Sequence, residues 1–193
     1  GGAFVAAADV NGDGYADVAV SPDTTGGPRV IVYSGFDSTV FADFFGIADP
    51  NFRGGARVSY GDVNGDGVAD LIVAAGTGGG PRVAIFDGTT LRPNTTPVRV
   101  VPDFFVFEQA LRDGTFVSAG DFNKDGKDDL VFGGGPGGAP RVLVWDAATL
   151  LSSGPTAADA SPLANFFAGS PDLRSGAVVA AKQLDHDGIA DLV

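Results

Sequence analysis

The chain has 193 residues, enough for one or two cores, and carries 24 acidic against 12 basic residues for a formal charge of −12. With no basic stripe along it the sequence excludes nucleic acid as a partner, and no apolar run reaches the roughly 18 residues of a membrane-spanning helix. It contains no Cys, hence no disulfides, and the absence of Met marks it as a processed chain or a piece of a longer one.

From the first residue the chain repeats four apolar segments. The first segment is Ala3-Phe4-Val5-Ala6-Ala7, followed by the acidic loop Asp9–Asp17 (DVNGDGYAD) and the second segment, Val18-Ala19-Val20. A glycine-proline connection, Gly26-Gly27-Pro28-Arg29, opens the third segment, Val30-Ile31-Val32-Tyr33, and the fourth is centred on Asp43-Phe44-Phe45. The second repeat runs through Ala56–Tyr60, the loop Asp62–Asp70 (DVNGDGVAD), Leu71-Ile72-Val73, Gly79–Arg82, Val83–Phe86 and Asp103-Phe104-Phe105. The third runs through Thr115–Ala119, the loop Asp121–Asp129 (DFNKDGKDD), Leu130–Phe132, Gly138–Arg141, Val142–Trp145 and Asn165-Phe166-Phe167. A fourth begins with Ala177–Ala181, the loop Gln183–Asp191 (QLDHDGIAD) and Leu192-Val193. The loops start at residues 9, 62, 121 and 183, a spacing of roughly 58 residues, which marks an array of similar supersecondary units.

Short apolar runs bounded by tight glycine turns read as strands. Four per repeat make one four-stranded antiparallel blade, so the expected fold is an all-β propeller with three full blades and a partial fourth. The repeats divide as residues 1–52, 53–111, 112–173 and 174–193 of one continuous domain. The second and third segments are apolar at consecutive positions, as in strands covered on both faces by neighbouring blades. A valine stands four residues before each loop (Val5, Val58, Val117, Val179), followed by a small residue (Ala6, Ser59, Ser118, Ala180) that suits strands crowded near an axis. The Pro-, Ser- and Thr-rich insertions of repeats two and three are expected as surface loops.

Glu108 is the only glutamate, so the acidity is almost wholly aspartate and concentrated in the loops. Calcium, a hard cation, takes six to eight oxygens in flexible geometry. Positions 1, 3, 5 and 9 of each loop supply side-chain oxygens, position 7 a carbonyl, and glycine at position 6 the sharp turn. The expected ligands are Asp9, Asn11, Asp13, Tyr15 and Asp17; Asp62, Asn64, Asp66, Val68 and Asp70; and Asp121, Asn123, Asp125, Lys127 and Asp129. The fourth set is Gln183, Asp185, Asp187, Ile189 and Asp191, where Asp185 restores the carboxylate lost at Gln183. Three to four calcium ions are therefore expected, and four would bring the formal charge to about −4. The EF-hand and dockerin spellings need an acid at position 12 and flanking helices; Val20, Val73 and Phe132 stand there instead.

The order apolar-V-x-x-G-D-x-N-x-D-G-x-x-D-L-x-V, followed by G-x-G-G-x-P, resembles the FG-GAP/VCBS repeats of the integrin α-subunit head and of many bacterial surface and secreted proteins. The resemblance covers essentially the whole chain. It implies a propeller with calcium in the loop joining the first two strands of each blade, the metal stabilising and not catalytic. It also implies an extracellular or cell-surface location in a bacterial secreted protein.

His186 is the only histidine, and neither a transition-metal site nor a hydrolytic triad can be assembled around it. The glycine-rich turns lack the Gly-Lys-Ser/Thr ending of a phosphate loop. Arg29, Arg82 and Arg141 read as repeat-position markers, and the Phe pairs and Trp145 as packing. Asn94-Thr95-Thr96 matches the glycosylation pattern. The leading expectation is a non-enzymatic, calcium-stabilised extracellular structural or adhesion-type interaction module acting on a protein or glycan surface. The alternatives are a carbohydrate-binding propeller, an accessory part of a polysaccharide-degrading enzyme, and a subunit that self-associates head to tail into a filament or surface layer.

Overall fold

The apolar runs flanking each acidic loop pair as strands, because each is too short for a helix and the loop turns the chain back on itself. The computed structural model describes residues 1–193. In the first sheet β1 (Ala3–Ala8), β2 (Asp17–Pro22), β3 (Arg29–Tyr33) and β4 (Val40–Phe45) lie in chain order, all antiparallel. The second sheet repeats this with β5 (Ala56–Gly61), β6 (Asp70–Ala75), β7 (Arg82–Phe86) and β8 (Arg99–Phe105). The third uses β9 (Thr115–Gly120), β10 (Asp129–Gly134), β11 (Arg141–Trp145) and β12 (Ala164–Phe167). A hairpin of β13 (Ala181–Lys182) and β14 (Asp191–Leu192) flanks the fourth loop. No helix is long and apolar enough to cross a membrane.

The sheets stack face to face, with β1 beside β5, β5 beside β9 and β9 beside β13. Side chains alternate across a strand, so an interior strand divides its apolar residues between two cores. Leu71, Val73 and Ala75 of β6 pack toward the first sheet, while Ile72 and Ala74 pack toward the third. Leu130 and Phe132 of β10 join that second core, and Val131 packs with Val179 of the fourth repeat. Every residue of β6 and β10 is buried, which accounts for their unbroken apolar runs. β2 alternates between buried and half-buried because only one face of the first sheet is covered. Among the four equivalent valines, Val58, Val117 and Val179 are buried, whereas Val5 is 65% exposed on the uncovered face.

A recurring glycine joint carries the chain from one sheet into the next. Gly55, Gly114 and Gly176 have φ of 73°, 65° and 69°. Their N–H groups donate to the carbonyls of Gly26, Gly79 and Gly138 at 3.0, 3.1 and 3.2 Å. A Cβ on Gly114 would sit 1.9 Å from the carbonyl oxygen of Ala75, so this position tolerates only glycine.

Two expectations need correction. The insertion of repeat three is not a plain surface loop but two short helices, α1 (Ala147–Ser153) and α2 (Pro155–Ala160). Asp146 caps α1 by accepting from Thr149 N at 2.8 Å, and Leu150 and Ala158 are buried in the core between the second and third sheets. In repeat two a 3-10 turn, Gly88–Thr90, delivers Leu91 fully buried to the core between the first and second sheets. The fourth repeat's first strand begins only at Ala181, not at Ala177. Ala177 N donates instead to Gly134 O at 2.9 Å, so that residue belongs to the joint with the third sheet.

Candidate metal centres

Each acidic loop joins the first two strands of its repeat, and one backbone path serves all four. Position 6 has positive φ in Gly14, Gly67, Gly126 and Gly188, and so has position 4, in Gly12, Gly65, Lys124 and His186. The left-handed residue at position 4 escaped the sequence reading. Glycine in two of the four copies was the available signal.

The first carboxylate organises the turn. Asp9 Oδ1 accepts from the N–H of Gly12 at 2.7 Å and of Asp13 at 3.2 Å, and Oδ2 from that of Gly14 at 2.8 Å. Asp62 makes the same bonds with Gly65, Asp66 and Gly67, and Asp121 with Lys124, Asp125 and Gly126. The donated hydrogen bonds, that of Gly14 foremost, hold the Asp9 carboxyl below the usual range. Positions 3 and 5 repeat the device on a smaller scale. Asn11, Asn64 and Asn123 accept from the N–H of position 5, and Asp13, Asp66 and Asp125 from that of position 7.

The ninth carboxylate turns the other way. Asp17, Asp70 and Asp129 are fully buried. One oxygen of each accepts from the N–H of position 2: Val10 at 3.1 Å, Val63 at 3.1 Å and Phe122 at 3.0 Å. The other accepts from the connection after the third strand: Gly35 at 3.1 Å, Gly88 at 3.0 Å and Ala147 at 3.0 Å. Burial pushes Asp70 and Asp129 up to about 6, and the charges of Asp66 and of Asp146 and Asp125 add to the shift. The fourth loop is thinner. Gln183 Oε1 accepts only from His186 N, Asp185 and Asp187 keep their short turns, and Asp191 accepts from Leu184 N at 2.7 Å.

The predicted side chains of positions 1, 3 and 5 thus share a tight loop, while position 9 lies on its sheet side, and no three acids converge on a common point. The carbonyls of Tyr15, Val68, Lys127 and Ile189 accept no hydrogen bond within the protein. A set of carboxylates, one amide oxygen and a free carbonyl is all-oxygen, which fits calcium and not a softer metal.

The loops also touch one another through a residue the sequence reading left out. Asp128, at position 8 of the third loop, donates its N–H to Asp62 O at 2.8 Å, and its Oδ2 accepts from Asp62 N at 2.8 Å. Burial raises its carboxyl, with Asp62 and Asp121 nearby adding to the effect. Ala190 N donates to Asp121 O at 2.8 Å, Lys127 Nζ to Asn64 O at 2.8 Å and Lys124 Nζ to Asp187 O at 2.5 Å. The clue was that position 8 is alanine in the other three copies.

Comparison with known proteins agrees with this repeat pattern. A family model described as FG-GAP-like repeat matches residues 9–73 and again 62–132. No curated protein matches the chain. Among solved structures, rhamnogalacturonan lyase YesW is similar over 98% of this chain, with a TM-score of 0.60 and 13% identity. Bacillus licheniformis rhamnogalacturonan lyase PL11 is similar over the same share, with a TM-score of 0.61 and 13% identity. The chain spans 39% of the length of each lyase, and at this identity the likeness concerns the fold. The chain belongs to the FG-GAP-like repeat family.

Proposed function

We propose that the chain is a calcium-braced segment of a β-propeller, serving as a non-catalytic structural and interaction module of a secreted or cell-surface protein. The observation that carries this reading is the fourfold recurrence of one loop path, with the same oxygen donors in three copies and Gln183 and Asp185 at positions 1 and 3 of the fourth. Residues repeated at equivalent places in every unit are suited to bracing each unit, whereas catalysis needs one constellation. In each full repeat the ninth carboxylate ties the loop to the connection after the third strand. Bound calcium would offset the charge of the buried acids and draw the loop and sheet together.

A thermal melt with calcium and with EGTA tests it. A ligand that binds only the folded state raises its stability, by about 2.7 kcal/mol at a hundredfold excess over its dissociation constant. The melting temperature is expected to fall by several degrees in EGTA, and an unchanged value would sink the calcium reading.

A second reading is favoured by the fold likeness to two lyases over nearly the whole chain. On this reading the segment is an accessory part of a polysaccharide-handling protein. Retardation of the chain in a gel containing pectic polysaccharide, set against a gel without it, tests that reading, and equal mobility in both gels counts against it.

A further inference from the structure

The three full repeats place an arginine at the start of their third strand, and two of the three are neutralised within their own sheet. Arg29 Nε donates to Asp43 Oδ1 at 2.7 Å, and Arg82 Nε to Asp103 Oδ2 at 2.9 Å. In the third sheet the facing residue is Asn165, whose amide oxygen accepts from Arg141 Nε at 3.1 Å but carries no charge. The carboxylate that reaches Arg141 is Glu108, at 3.5 Å and on a side chain 77% exposed. Arg141 therefore holds a guanidinium whose only anionic partner is loose and surface-borne.

Arg141 stands in a cleft of about 520 Å³ between the second and third sheets, which shares Phe107, Glu108 and Arg141 with an adjoining cavity of about 350 Å³. The counterpart of the smaller cavity between the first and second sheets, beside the neutralised Arg82, holds about 180 Å³. Three departures from the repeat meet here: Asn165 in place of aspartate, the lone glutamate, and α2, whose Thr156 and Asp159 line the cleft. Trp145 lines the same cleft, and its buried indole N–H has no acceptor. The part-exposed rings of Phe105 and Phe167 flank the two cavities.

We propose that this cleft binds a carboxylate-bearing saccharide, the ligand carboxylate taking the place of Glu108 on Arg141. A guanidinium presents paired N–H donors that match a carboxylate in geometry and charge. The Phe105 and Phe167 rings supply apolar surface for the C–H faces of a sugar, and Asn165 and Gln109 supply amides for its hydroxyls. The proposal gives the second reading above a definite site. It does not depend on the calcium reading, because Arg141 lies at the end of its sheet opposite the acidic loop.

Trp145, the only tryptophan, reports on the cleft. The full chain is titrated with trigalacturonate, its methyl ester and citrate, followed by tryptophan fluorescence and calorimetry. Trigalacturonate is expected to bind saturably, and the ester and citrate at least about tenfold more weakly. Arg141→Gln is expected to lose about tenfold in affinity, and Glu108→Gln, on an exposed side chain, to bind severalfold more tightly. Citrate binding as tight as that of trigalacturonate would overturn the saccharide assignment. No binding of trigalacturonate, or an affinity unmoved by both substitutions, would overturn the cleft as the site. If retardation in the pectic gel survives both substitutions, the second reading stands without this cleft.

Discussion

Asp17, Asp70 and Asp129 close their loops from the sheet side, each holding two backbone N–H groups that are 25 residues apart. Replacing Asp70 with alanine leaves the buried N–H of Gly88 and the half-buried N–H of Asn64 without an acceptor, while Val63 N keeps the Gly61 carbonyl at 3.0 Å. The expected cost is about 1–3 kcal/mol in urea unfolding, the cost of orphaning one buried donor. That cost should persist in EGTA, which separates the hydrogen-bonding role from metal binding; a loss seen only in calcium would contradict the bridging role. The acids and amides at positions 1, 3, 5 and 9 were visible in the sequence, because their spacing repeats. The inward aim of position 9 was not, since its partners Gly35, Gly88 and Ala147 contribute only a backbone N–H, which leaves no mark in the sequence. Asp128 escaped for the opposite reason: it occurs in one copy, and a period hides whatever departs from it.

Among the elements, the strands were legible because an apolar run a few residues long, ended by glycine, has few other ways to fold. The helices α1 and α2 were not, because Ser152, Ser153 and Gly154 give that insertion a loop-like composition that masks Asp146 as a cap and Leu150 as a core residue. The glycine joints were visible as letters but not as a device, since their role depends on a carbonyl from the preceding sheet. Gly114→Ala pushes a Cβ against the Ala75 carbonyl and demands φ of 65° from an L-residue. The expected loss is about 3 kcal/mol or more, read as a lower urea midpoint or as loss of soluble protein. Ser152→Ala, on the exposed side of α1, serves as the control and should stay within about 0.5 kcal/mol of the wild type.

Over the whole molecule, three sheets and a hairpin share buried cores with their neighbours in sequence, and Phe4 of the first sheet also meets Phe116 of the third with ring centroids 6.4 Å apart, so each unit is steadied chiefly by the units beside it. The contacts among the acidic loops add a further line of connection. Asp128 grips both the N–H and the carbonyl of Asp62, and Ala190 and Lys124 tie the third loop to the fourth. Calcium bound in one loop would fix backbone atoms that its neighbour uses and would remove negative charge from beside the next loop. The second, third and fourth loops should consequently fill cooperatively. A calorimetric calcium titration is expected to give a Hill coefficient above one, falling toward one in Asp128→Ala. A wild-type curve of independent sites would mean that the contacts steady the loops without coupling them. If the coupling holds, the edge of the molecule that carries the loops responds to calcium as one threshold sensor, switching over a narrower range of concentration than any single loop would.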